Sequence, residues 1–368
     1  MNLSKHAFVV GGGPAGLVAA VALRRKGLRV TVADGGDAPS DKACGEGILP
    51  EGIAALQRLG VSLDWNAGRA FRGIRFVKGD AAAQAEFGAS VGLGMRRIEL
   101  HRQLIRAAEG AGVAILWRTP VTRIAETIVT AGSENFSPDW IIGADGFRSL
   151  VRSWTALDFK TSPRVRSAFR QHFACMPWTD CVEVHWTEKA QLYVTPVSAN
   201  EVGVVALSRN PKLRLRDALP LFPKVFARLA NHEPTTTERG AVTGNLVLPR
   251  VTRGRVALIG DASGAVDAIT GEGMSLAFLQ AEALAEAIAR ENLAEYETAH
   301  ARLLRRPIWM ARALLAMENR NWAQERVVRI FASEPQLFRR MLSAHAGEGS
   351  TFSLASAGAR LGWRLLSA

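Results

Sequence analysis

The densest chemical signal in the chain is the run Gly11-Gly12-Gly13-Pro14-Ala15-Gly16, a GxGxxG pattern. Gly11 permits a tight turn, Gly13 lets the backbone approach a pyrophosphate, and Gly16 lets a helix pack closely on a strand. The N–H groups and partial positive charge at a helix N-terminus then face the phosphates. Asp34 follows at the end of the next apolar run, where its carboxylate is placed to accept hydrogen bonds from a ribose. Two later segments again set an acid beside a glycine after an apolar run. They are Asp145-Gly146 after Ile141–Ala144, and Gly260-Asp261 after Val256–Ile259. Gly271-Glu272-Gly273-Met274 opens a long helix, with glycines that allow close backbone approach to a ligand. The loop Asp41-Lys42-Ala43-Cys44-Gly45-Glu46-Gly47-Ile48 carries a thiol. Lys42 is expected to lower the pKa of Cys44; the thiol then either takes part in chemistry or packs against a ligand.

Positioning these groups requires a particular order of elements. Ala7–Val10 reads as a strand buried on both faces, Leu17–Lys26 as a helix stopped by Gly27, and Leu28–Ala33 as a second buried strand. That order is a right-handed βαβ unit. Further helices are predicted at Glu51–Leu59, Glu99–Glu109 and Gly273–Arg290, and strands at Phe71–Lys78, Val113–Trp117, Trp140–Ala144 and Val256–Ile259. From Ser167 to Ser208 the style changes to short runs between turn residues: Val182–Trp186, Ala190–Val194 and Val202–Leu207. These predict an antiparallel sheet in a separate layer. The fold class is therefore α/β: a Rossmann-type unit with an inserted antiparallel sheet and a C-terminal helical segment. The aromatics Phe173, Trp178, Trp186 and Tyr193 are candidates to line a substrate pocket there, with His172 and His185 in strand-like surroundings.

Composition narrows the class. The 368 residues are 48% hydrophobic and 22% charged, as in ordinary globular proteins. No uncharged apolar run is long enough to span a membrane, and Met1–His6 shows no signal-peptide pattern. Three cysteines (Cys44, Cys175 and Cys181) without metal-ligand spacing point to a reducing, cytoplasmic setting. The net charge of +12 is concentrated in arginines towards the C-terminus, among Trp309, Met310, Leu314, Leu315 and Met317 at helical spacing. That pattern reads as solvated helices or as contact with a membrane surface. No nucleic-acid module signature is present.

Taken together, these motifs resemble the superfamily of FAD-dependent monooxygenases and geranylgeranyl reductases, which has the p-hydroxybenzoate hydroxylase fold. The likeness covers nearly the whole chain. It implies that Gly11, Gly13, Pro14, Ala15 and Gly16 hold the ADP half of FAD and that Asp34 binds the adenosine ribose. It further implies that Asp145 and Gly146 lie near the pyrophosphate and that Gly260 and Asp261 bind the ribityl chain. Arg97, in Met95-Arg96-Arg97-Ile98, matches an arginine that contacts FAD, and Val121 matches a position touching the adenine. Gly271, Gly273 and Met274 are expected at the flavin, as are Lys42, Ala43, Cys44 and Gly45. The Cys-Gly pair is similar to that of geranylgeranyl reductases. The stretch Cys44–Pro50, with Pro177-Trp178 and Tyr193–Pro196, also resembles monooxygenases found beside polyketide synthases. The resemblance implies NAD(P)H or another external reductant as electron donor, although no second GxGxxG is present. Two activities follow: hydroxylation of an aromatic or polyketide-derived substrate through a flavin C4a-hydroperoxide, or saturation of prenyl double bonds. A non-catalytic FAD-binding scaffold is a third reading. The expected division is a discontinuous FAD-binding domain (1–70, 95–160 and 250–300), a substrate domain (71–94 and 161–249) with His172, Trp186 and Tyr193 at its pocket, and a C-terminal helical region (301–368).

Overall fold

A computed structural model describes residues 5–158, 165–318, 320–347 and 351–367; the first four residues of the Met1–His6 reading lie outside them. Its central sheet has the strand order Thr252–Arg253, Val256–Leu258, Trp140–Gly143, His6–Val10, Arg29–Ala33, Ala114–Leu116. All neighbours are parallel except the edge strand Thr252–Arg253. The register explains why distant motifs meet. Val10 pairs with Ala33 on one side and Gly143 on the other, and Gly143 pairs with Leu258. The segments beginning at Gly11, Asp34, Ala144 and Ile259 therefore leave the sheet side by side at its carboxyl edge, where ligands bind in open α/β sheets.

The helix Pro14–Arg25 packs on this sheet because its glycine turn leaves no room for side chains. Gly11 has φ +107°, and a Cβ there would collide with the Ala144 carbonyl; one on Gly16 would collide with the Gly11 carbonyl. The helices Arg97–Gly110 and Gly273–Ala289 flank it.

The inserted sheet has seven strands, in the order Arg239–Gly244, Val165–Phe173, Val202–Ser208, Gln191–Pro196, Cys181–Trp186, Gly73–Lys78, Ala81–Glu86. It is antiparallel except where Cys181–Trp186 runs parallel to Gly73–Lys78. The apolar run expected as one strand from Phe71 is split at Arg72. Arg69–Phe71 joins a small sheet with Gly92–Gly94 and Gly47–Ile48, while Gly73–Lys78 joins the large one. Gly73 makes the step possible, since a Cβ there would strike the Ala85 carbonyl.

Four helices follow the nucleotide-binding unit: Leu293–Ala316, Asn321–Ser333, Pro335–His345 and Thr351–Leu366. They are not simply solvated. Met310, Val327, Phe331, Phe338 and Met341 form a core with Phe71, Phe87, Val182 and Trp186 of the sheets. Stacked rings run through it: Phe331 on Phe338 at 4.5 Å, Phe338 on Phe76 at 5.0 Å and Phe76 on Trp186 at 4.7 Å between centroids. Among the described residues, no helix is long and apolar enough to cross a membrane.

Candidate active site

A cavity of about 710 Å³ starts at the carboxyl edge of the parallel sheet and passes between the seven-stranded sheet and the C-terminal helices. Its first part is a cradle. Gly11, Gly13, Pro14, Ala15, Asp34, Val121, Asp145 and Gly146 line it, with Lys42, Ala43, Cys44, Gly45 and Arg97 on one flank. Gly260, Asp261, Gly271, Gly273 and Met274 close the other flank. Gly16 is absent from the lining because it is spent on helix–strand contact.

Each edge of the cradle is held by identifiable bonds. Asp34 accepts from the Gly12 N–H at 2.7 Å and from the Gly36 N–H at 2.8 Å, so its carboxylate shapes two turns at once. His101, one helical turn after Arg97, accepts the Ser40 N–H at Nδ1 (2.8 Å). Its Nε2 must then carry the proton and donate to the Gly12 carbonyl at 2.7 Å. Burial pulls the His101 pKa down, which keeps this neutral tautomer in place. Arg152, 6% exposed, donates to the Phe147 and Ala262 carbonyls and so ties the Asp145 and Asp261 loops together. The Gly260 N–H donates to Gln280 on the helix Gly273–Ala289.

The cradle meets the requirements of a dinucleotide. Asp145 caps Leu150 and Val151 through Oδ2, while its Oδ1 is buried without a hydrogen-bond partner, as is Arg97 Nε. Buried polar atoms of this kind require a partner. A Cβ on Gly13 would meet only Arg97 Nη2, at 3.9 Å, and one on Gly271 or Gly273 would meet nothing within 4 Å. At these positions the protein itself makes no steric demand for glycine beyond the φ of +69° at Gly271.

The thiol-bearing loop rests on a buried charge cluster that sequence reasoning missed. Glu46, 1% exposed, accepts from the Arg97 N–H (2.8 Å), from Arg170 Nη1 (3.1 Å) and from His172 Nε2 (2.6 Å). Arg170, also 1% exposed, donates to Asp41 at 2.6 Å. The cluster clamps both ends of the segment around Cys44 and fixes the start of the Arg97 helix. His172, expected at the substrate pocket, therefore lies away from the cavity: fully buried, between Glu46 and Thr236. Phe173 and Trp178 likewise pack elsewhere, against the helices of residues 215–229. His185 is bonded to Glu183.

Cys44 lies on the lining, with Sγ 4.0 Å from Met274 Sδ and accepting the Glu46 N–H. Burial pushes its pKa up, against the pull of the Arg97 guanidinium, so the group is a neutral thiol; Lys42 does not activate it. The loop before the helix Gly273–Ala289 is braced from two sides. Tyr193 donates to the Ile269 carbonyl at 3.2 Å, and His345 Nε2 bonds the Thr270 carbonyl at 3.0 Å while Nδ1 pairs with the buried Glu272. Burial opposes charge on His345, but the Glu272 carboxylate prevails and holds its pKa above the ordinary value. Burial raises the Tyr193 pKa further, so it remains a phenol.

Beyond the cradle the cavity becomes an apolar chamber. Phe71, Ile74, Phe76, Val184, Trp186 and Tyr193 line it from the sheets, and Met310, Leu314, Met317, Phe331, Phe338 and Met341 from the C-terminal helices. Trp186 and Tyr193 both line this chamber. The methionines and phenylalanines opposite were visible in the sequence only as helical apolar spacing.

Known proteins share this architecture. A family model described as an FAD binding domain matches residues 5–306. A menaquinone reductase of Mycobacterium tuberculosis is 28% identical over 325 residues, covering 79% of this chain and 78% of that protein. The para-nitrophenol 4-monooxygenase of a Pseudomonas species is 28% identical over 317 residues, 76% of each chain. Among solved structures, a flavoprotein/dehydrogenase from Cytophaga hutchinsonii superposes with a TM-score of 0.81 at 20% identity, covering 93% of this chain and 92% of its own.

Proposed function

The chain belongs to the FAD-binding domain family, and on that premise we propose that it is a monooxygenase hydroxylating an apolar aromatic or polyketide-derived substrate, with NAD(P)H as electron donor. The observation that carries this reading is the continuity between the dinucleotide cradle and a chamber walled by aromatic and thioether side chains. A chamber of that chemistry binds a large apolar body and orients it through few polar groups. The name of the Pseudomonas relative, an oxygenase of a phenol, supports the same class. We place the enzyme in the reducing cytoplasm, in keeping with its free Cys175 and Cys181.

FAD, when bound, supplies two-electron transfer and reaction with oxygen. The chain's own residues supply the rest. Arg97 and Asp145 would take the cofactor's polar groups with their unpartnered buried atoms. The N-terminus of the helix at Gly273 turns a partial positive charge towards the cavity. Tyr193 uses its proton on Gln191 and Ile269, leaving its oxygen to accept from a substrate hydroxyl. The apolar walls exclude water from the reacting face.

A second reading is saturation of a prenyl double bond, favoured by the neutral thiol of Cys44 on the cavity wall and by the likeness to a menaquinone reductase. Adding hydrogen across an alkene requires a hydride at one carbon, which reduced FAD would supply when bound, and a proton at the other, which the Cys44 S–H on the cavity wall could give. An oxygen electrode separates the two. Substrate-dependent oxygen uptake with a hydroxylated product supports the monooxygenase. Turnover confined to anaerobic, chemically reduced enzyme, with a product two hydrogens heavier, would refute it.

A further inference from the structure

We infer that the outer face of the helix Leu293–Ala316 is a docking surface for an anionic lipid bilayer. Arg302, Arg305, Trp309 and Arg312 are all exposed and recur at spacings of three and four, which lays them in one stripe along the helix. From Thr298 to Ala316 the sequence contains no aspartate or glutamate. Arg306, on the inner flank, is paired with Glu51 at 2.7 Å, whereas Arg302, Arg305 and Arg312 have no carboxylate partner among the described residues. The charge of the stripe is thus uncompensated among the described residues.

The helix Thr351–Leu366 packs against the end of this stripe. Gly358 lets it rest directly on the Trp309 ring, since a Cβ there would lie 2.9 Å from Trp309. It contains no acidic residue and presents Trp363 at 71% exposure. Its own Arg360 and Arg364 are bound to Glu334 and add little net charge.

The pairing of residue types selects the partner. Exposed indole rings beside guanidinium groups suit the headgroup layer, where rings sit at the interface and arginine stems lie along the apolar boundary. A nucleic-acid duplex, its bases already stacked within the helix, would use the charge but not the exposed rings. The same helix presents Met310, Ala313 and Leu314 to the cavity, so a bilayer on its outer face would lie about one helix diameter, roughly 10 Å, from the chamber. Docking holds for either reaction.

The test is flotation of the full-length, FAD-loaded protein with vesicles of phosphatidylcholine alone and of phosphatidylcholine mixed with phosphatidylglycerol. The protein should float with the anionic vesicles, lose binding as salt is added, and stay behind with the neutral ones. Each arginine contributes about fivefold near such a surface, so R302Q/R305Q/R312Q should bind about a hundredfold more weakly. Its circular dichroism should be unchanged, because all three side chains are exposed. Equal binding to both vesicle types, no flotation at low salt, binding to duplex DNA without binding to anionic vesicles, or a triple variant that binds like the wild type would each overturn the inference. The first three readings use the wild-type protein alone and do not depend on the variant folding.

Discussion

Replacing Arg170 by methionine tests whether the buried charge cluster holds the loop that lines the cavity. Arg170 is 1% exposed and bridges Glu46 at 3.1 Å and Asp41 at 2.6 Å. Methionine has similar length, so packing is largely kept while two carboxylates lose the cation between them. His172 and the Arg97 N–H still satisfy Glu46, whereas Asp41 keeps, among the described residues, only the cation of Arg239, at 3.9 Å. Breaking a buried pair by removing one partner costs about 3–5 kcal/mol. At about 2–4 °C per kcal/mol for a chain of this size, the melting temperature should fall by roughly 6–20 °C. Because the cluster clamps residues 41–47, FAD affinity should fall with it. The assay is thermal unfolding of the FAD-loaded and FAD-free protein, with flavin titration alongside. The double variant Arg170→Met with Asp41→Asn should recover part of the loss, since no charged carboxylate is then left at position 41 without its cation. A single variant that melts within about 2 °C of the wild type and binds FAD equally well would refute the reasoning.

Three other changes probe the remaining parts. Cys44→Ala should leave oxygen-coupled turnover within about threefold of wild type, because its thiol is neutral; a loss of about a hundredfold would give the thiol a direct role. His345→Gln tests the brace on Thr270 and Glu272. Since the folded pKa of His345 is raised, its contribution is complete below about pH 6.5 and is lost as pH rises through the raised value. The melting temperature of the wild type relative to the variant should therefore be highest in acid and decline towards alkaline pH, and a difference that grows with pH would contradict the pairing. Phe338→Ala removes a ring stacked on both Phe331 and Phe76. It should cost about 3–5 kcal/mol in unfolding experiments and lower KM for substrates with bulkier apolar groups.

The cradle was legible in the sequence because its parts are local. A glycine turn between strand and helix, and acids placed directly after apolar runs, each declare themselves within a few residues, and strand register then brings them together. Glu46, Arg170 and Asp41 had no such signature. They meet across more than a hundred residues of chain, and an arginine in an alternating strand reads as a surface residue until its partners are known. His172 was misplaced for the same reason: strand periodicity shows that it points to one face but not what covers that face. His101 was within reach, four residues after Arg97 on a helix, where the two share a side. The C-terminal helices read as solvated or as membrane-contacting because their arginines are conspicuous. Their apolar faces, at the same spacing, proved to wall the chamber.

The most direct test of the account is FAD binding by Gly13→Val, followed by flavin absorbance and fluorescence during titration. Gly13 has φ −71°, which any residue adopts, and a Cβ there would approach only Arg97 Nη2, at 3.9 Å. The cofactor-free protein should therefore fold with a nearly normal circular dichroism spectrum. If the cradle grips the pyrophosphate at this turn, the wild type will take up one FAD and the variant will remain colourless. A folded variant that binds FAD as tightly as the wild type would show that the cofactor lies elsewhere.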